Sequence, residues 1–138
     1  MSTTENRGPL SVYVGGGSGD RAECAEWMDE LRKAGVHITH DWTRCEGYGR
    51  ESTATERATW AQRDIDGVRA ADVVWIRIPR EKSEGSHGEL CAALALGKRV
   101  IVSGHYDAHG RIFPALCETA PDDIGAFARI VAAARSAR

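Results

Sequence analysis

The segment Ser83–Glu89, SEGSHGE, crowds hydroxyls, glycines, a histidine and carboxylates into seven positions. A glutamate such as Glu89, held near the positive end of a helix dipole, stays ionised at neutral pH and can attack an electrophilic carbon. Gly85 and Gly88 leave room beside it for a substrate. The same residues also have a structural reading, because Ser86 and Glu89 form an S-x-x-E capping box in which the glutamate only returns to the serine N–H. Asp64 and Asp66 lie two positions apart and therefore on different helical faces, so only one of them can point into a cleft while the other is solvated charge. GGGSGD at residues 15–20 would let an anionic or sugar group approach backbone N–H donors. It lacks both the G-x-G-x-x-G and the G-K-[ST] pattern, which disfavours a dinucleotide site or an NTPase.

Other residues are weaker candidates. His105 and His109 are four apart, but the turn residues around them, with Asp107 and Gly110, offer no helix to present both, and no metal site is expected. Trp42 follows a strand end and could stack on a base; Trp60 is better suited to packing. Cys24, Cys45, Cys91 and Cys117 contain no C-x-x-C pair and read as reduced thiols.

These residues must be positioned by regular elements. Leu10–Val14 reads as a strand feeding the glycine loop, and Asp20 opens a helix with Ala25, Met28 and Leu31 on one face and Gly35 as its cap. Val36–His40 is a second short strand, followed by a polar stretch, 41–52, with room for a functional loop. Thr53 and Glu56 have capping-box spacing and open a helix to about Ala71. Asp72–Ile78, DVVWIRI, is the strongest strand and is expected to be central. A helix over 86–96 ending at Gly97, a strand over 99–103 and a helix over 121–134 complete the chain. Strands alternating with helices predict a single-domain three-layer α/β/α fold with a mostly parallel, Rossmann- or flavodoxin-like sheet. Ligands in such folds sit at the carboxyl ends of the strands, so the loops after Val14, His40, Ile78 and Ser103 should line the site.

The 138 residues suffice for one core, and 42% hydrophobic with 28% charged residues excludes a disordered chain. A net charge of -2 argues against a partner such as duplex DNA. There is no apolar run of the ~20 residues that cross a bilayer, and the start MSTTENRG is unlike a signal peptide, so a cytoplasmic protein is expected.

Four segments together resemble the nucleoside 2-deoxyribosyltransferase family, including its branch of nucleoside 5′-monophosphate N-glycosidases. They are V-Y-V-G-G at 12–16, H-D-W-T at 40–43, R-D-I-D-x-V-x-x-A-D-V-V at 63–74 and S-E-G-S-H-G-E-L-x-x-A-L-A-L-G-K-R-V-I-V at 83–102. The last two carry most of the specificity. The resemblance implies a family domain over 10–138 behind a flexible N-terminus, 1–9. It places the nucleophile on Glu89, the aspartate that serves the leaving base on Asp64, and the hydroxyl that orients Glu89 on Tyr13. Gly15, Gly16 and Ser83 would hold the 5′ end, with Ser18, Asp41, Trp42, Gly85 and Ser86 completing the substrate-binding set.

Members acting on free nucleosides carry an aspartate where this chain has Ser83, and the monophosphate hydrolases carry a serine. A hydroxyl can donate to a phosphate that a carboxylate would repel. The form S-x-G-[ST]-H-x-E is also similar to pyrimidine ribonucleotide N-glycosidases. The implied reaction is cleavage of an N-glycosidic bond through a covalent glycosyl-Glu89 intermediate, most simply hydrolysis of a 5′-monophosphate, with no metal or organic cofactor. Base exchange on free nucleosides and a non-catalytic nucleotide-binding module are the alternatives. The phosphate contact of the first loop does not align cleanly, Ser18 and Arg21 being nearest, and Pro114 stands where some members lend a serine to a neighbouring subunit. A homodimer or higher homo-oligomer is implied, with no nucleic-acid polymer and no membrane among its partners.

Overall fold

A computed structural model of the chain describes residues 8–45, 52–81, 83–105 and 112–136. The elements are β1 (Ser11–Gly16), α1 (Arg21–Lys33), β2 (His37–Ile38), α2 (Ala54–Ala70), β3 (Val73–Ile78), α3 (Glu84–Ala95), β4 (Arg99–Gly104), β5 (Glu118–Thr119) and α4 (Asp123–Ser136). The five strands form one parallel sheet in the order β2-β1-β3-β4-β5. Among the described residues no helix is long and apolar enough to cross a membrane.

The near-continuous apolar runs of β1, β3 and β4 are buried on both faces, as a parallel sheet between helical layers requires. α2 and α3 pack together on one face, and α1 and α4 on the other. Alternation along the strands then sorts the side chains. Tyr13, Gly15 and Ile76 face α2 and α3, whereas Trp75 and Arg77 face α1 and α4.

On that second face Arg77 is a buried tie. Its guanidinium donates to Glu23 and Asp123, both at 2.8 Å, and to Cys24 Sγ at 3.3 Å. It thereby joins the first turns of α1 and α4 to the end of the central strand, while its Nε is buried without a partner. Ser103 Oγ accepts from Trp75 Nε1 and donates to Asp123, so the same carboxylate is held from the sheet as well.

Several element ends differ from the sequence expectation. β1 continues through Gly15 and Gly16, because both remain paired with Ile76 and Arg77. β2 is only two residues long. α3 begins at Glu84 with Ser83 as its cap: Ser83 Oγ accepts from the Ser86 N–H, and the expected Ser86–Glu89 box is absent. α4 starts at Asp123, where Asp122 accepts from the Gly125 N–H at 2.7 Å. β5 was not anticipated. The α2 capping box is present in full, and Gly35 and Gly97 adopt the positive φ expected of helix ends.

Candidate active site

Three elements converge at the carboxyl ends of β1 and β3, beside the point where the strand order reverses. β1 supplies Tyr13 and Gly15, α2 supplies Asp64 and α3 supplies Glu89. The approach is close because two glycines permit it. A Cβ at Gly15 would lie 2.7 Å from Glu89 Oε1, so the carboxyl group occupies the place of the missing side chain. At Gly67 a Cβ would meet His40 Cβ at 2.8 Å and Tyr13 Cδ1 at 2.9 Å; its absence lets α2 lie against β1 and brings Asp64, one turn earlier, over the strand end.

Tyr13 donates its hydroxyl to Glu89 Oε2 at 2.8 Å. The Asp64 and Glu89 carboxyl groups are close enough for a hydrogen bond to join them when one is protonated. Both residues are buried, at 9% and 8% exposed. His40 Nε2 lies 3.4 Å from Asp64 Oδ1. Asp66, by contrast, is an exposed residue paired with Gln62 and Arg69, so the two acids divide as helical geometry demands.

The electrostatics correct one expectation. Burial, then the charge of Asp64, pushes the Glu89 carboxyl well above the usual carboxylate range, and the Tyr13 hydroxyl only partly opposes this. Glu89 is the sixth residue of α3, past the first turn in which a helix dipole acts strongly. Asp64 is raised by burial too, but its bond from Glu89 and the nearby His40 and Tyr13 pull it back. Of the two, Glu89 is therefore the partner that keeps a proton to higher pH, and Asp64 the one that ionises first.

Two cavities meet at this pair. One, about 570 Å³, is lined by Gly16, Gly17, Ser18, Gly19, Arg80 and Ser83, with Asp20, Trp42, Glu81, Glu84 and Gly85 around it. The other, about 520 Å³, lies along α2 and is lined by Arg57, Trp60, Ala61 and Ile65, with Ser18, Ser52, Glu84, Gly85 and Gly88 opposite. A third, about 420 Å³, sits beyond the start of α3 and includes Ser86, His87 and Pro114 but neither carboxylate.

The remaining expected site residues separate accordingly. Gly16, Ser18, Ser83 and Gly85 line the first cavity, whereas Arg21 lines none of the three. Ser86 is buried under the Ser83 hydroxyl, which donates to its Oγ at 3.1 Å. Asp41 lines none of the three: it caps the 3-10 turn Trp42–Arg44 and pairs with Arg32 at 2.7 Å and Arg44 at 3.2 Å. Burial opposes its ionisation, yet Thr43 and Arg32 hold the carboxyl below its ordinary range. Trp42 borders the first cavity but is only 5% exposed, with its indole N–H donated to the Val14 carbonyl at 2.7 Å, so packing is its main task. Pro114 opens a 3-10 turn away from the carboxylates.

Sequence reasoning overlooked His40, Gly67, Arg57, Ile65 and Arg80. A glycine inside the α2 pattern was the available signal for the second of these. Among the described residues no group of His, Cys, Asp and Glu could hold a metal ion; Asp107, His109 and Gly110 lie outside them.

No protein-family model matches the sequence, and no curated protein matches it. Solved structures do. The CMP N-glycosidase BcmB of Clostridium botulinum superposes with a TM-score of 0.52 at 13% identity, covering 87% of this chain and 97% of that one. The solution structure of BlsM superposes at 0.64 with 22% identity, covering 94% and 92%. A 2-desoxiribosyltransferase from Leishmania mexicana aligns at 0.46 with 21% identity over 70% of this chain and 65% of its own. What the chain shares with the first two, over nearly its whole length, is a single-domain three-layer α/β/α fold.

Proposed function

We propose that the chain cleaves the N-glycosidic bond of a nucleoside 5′-monophosphate by hydrolysis, with Glu89 as nucleophile. The observation that carries this reading is the buried Glu89–Asp64 pair under the Tyr13 hydroxyl, where two cavities join.

One proton serves both halves of the reaction. It passes from Glu89 to Asp64 along their hydrogen bond, leaving a carboxylate that attacks C1′ through an oxocarbenium-like transition state. The C1′–N bond breaks, its electron pair goes to the base, and Asp64 delivers the proton to the base. Water then attacks C1′, Asp64 takes a proton from it, and the C1′–O bond to Glu89 breaks. Tyr13 steadies the Glu89 carboxylate through its hydrogen bond at each ionised stage.

The 5′ phosphate is assigned to the first cavity. The 3-10 turn Ser18–Asp20 and α3 both begin there, and N-terminal ends with Arg80 and the Ser18 hydroxyl suit an anion. The fold is shared with a CMP N-glycosidase, whose substrate is such a monophosphate. A second reading, base exchange on free nucleosides, is favoured by Asp20, Glu81 and Glu84, which line the same cavity and would repel a phosphate. A module that only binds nucleotides has no need of the protonated acid pair.

The test is chromatography of products from a panel of nucleosides and 5′-monophosphates, with and without an acceptor base. Free base and sugar phosphate are expected from monophosphates alone. Faster cleavage of free nucleosides would overturn the phosphate assignment, and full activity in Glu89→Gln would overturn the nucleophile.

A further inference from the structure

The second cavity is shaped by a single stripe of α2. Arg57, Trp60, Ala61 and Asp64 stand at i, i+3, i+4 and i+7, so they share one helical face, and all four line this cavity. Trp60 is half-buried there, with Ile65 beside it. Across from it, α3 presents Gly85 and Gly88, where an added Cβ would meet nothing within 4 Å. The result is a slot with an indole on one side, open space on the other and the Asp64 carboxylate at its inner end.

None of the other three tryptophans lines this cavity. Trp27 and Trp75 make an edge contact at 5.5 Å on the opposite face of the sheet, and Trp42 is bonded to β1. Resting on the function proposed above, we infer that Trp60 is the platform on which the leaving base stacks, one helical turn from the acid that protonates it. Stacking on an indole tolerates any base and contributes little in the absence of one, so Trp60 binds the base side of the substrate and not the sugar phosphate. Such a platform also holds the ring in register with Asp64, coupling base binding to proton delivery.

The test uses the inert Glu89→Gln chain, titrated with cytidine 5′-monophosphate and with ribose 5-phosphate, which lacks a base. Cytidine 5′-monophosphate should quench intrinsic tryptophan fluorescence, and ribose 5-phosphate should not. Adding Trp60→Phe should abolish the quench while keeping affinity within a few-fold. Adding Trp60→Leu should weaken cytidine 5′-monophosphate about 5- to 150-fold and leave ribose 5-phosphate within twofold. Equal weakening of both ligands, or unchanged nucleotide affinity, would overturn the assignment, as would a quench that persists in Trp60→Phe. The wild-type chain separates the two levels: if it cleaves nucleotides while these variants behave as wild type, only the platform fails. If it neither binds nor cleaves any nucleotide, the proposed function fails and takes the platform with it.

Discussion

Glu89→Gln should make the protein more stable as the pH rises, while removing its activity. In the native state the Glu89 carboxyl is 8% exposed, faces Asp64 and is pushed well above its ordinary value of 4.5 by burial and by that neighbour. An acid with a raised native value binds more protons folded than unfolded between the two values, so this group's contribution to unfolding free energy falls as pH climbs from about 4.5. One excess proton sets the steepest slope at about 1.4 kcal/mol per pH unit. For a domain of this size that corresponds to roughly 4 °C in Tm per pH unit. Glutamine keeps the shape, can donate to Asp64 and can accept from Tyr13, yet does not titrate. Scanning calorimetry from pH 4 to pH 9 should therefore show variant and wild type close together at the acid end and diverging upward, the variant higher. Base release at neutral pH should drop by at least roughly 10³-fold. Parallel Tm–pH curves, or a wild type that gains stability toward alkaline pH relative to the variant, would refute the assignment of the shared proton to Glu89.

Gly15→Ala should cost activity by roughly 100-fold and stability by about 1–3 kcal/mol, because the new methyl falls 2.7 Å from both Glu89 Oε1 and Ile76 Cδ1. Gly88→Ala, in open space within α3, should instead raise Tm, by the equivalent of about 0.5–1 kcal/mol; denaturant melts of the two variants make the comparison. Tyr13→Phe removes the bond that opposes the upward push on Glu89, so the alkaline limb of the kcat profile, where the pair loses its shared proton, should move to higher pH, with kcat reduced. An unmoved profile would show that the hydroxyl serves packing alone. Arg77→Met should destabilise by roughly 3 kcal/mol in urea melts, since Asp123 loses its buried cation and α1 and α4 lose their common tie.

Much of the architecture was legible because its signals are local. The β-branched run of β3, the Thr53–Glu56 box and the glycines after α1 and α3 each act within a few residues of themselves. The misplaced start of α3 had two overlapping serine patterns three residues apart, and only the burial of Ser86 against the Ser83 hydroxyl decides between them. β5 is two residues long and exists through its pairing with β4, which no periodicity announces. The resemblance singled out Asp64 and Glu89, but their approach joins residues far apart in sequence, and the upward push on both carboxyl groups depends on distance and burial. Which indole is hydrogen-bonded to a strand carbonyl, as that of Trp42 is, and which lines the cavity along α2, as that of Trp60 does, is likewise a property of the packed chain.

The vacancy at position 15 has an evolutionary corollary. A side chain is barred there chiefly because an oxygen of Glu89 stands in its place, the other obstacle being a terminal methyl that can rotate aside. Tolerance at position 15 is thus conditional on what occupies position 89, and the order of substitution matters. A lineage that first shortens residue 89, abandoning turnover, can then fill position 15 at small cost, whereas the reverse path passes through an intermediate with a displaced acid. Once such a methyl is in place, restoring the glutamate no longer restores the site, so loss of chemistry by that route would act as a ratchet.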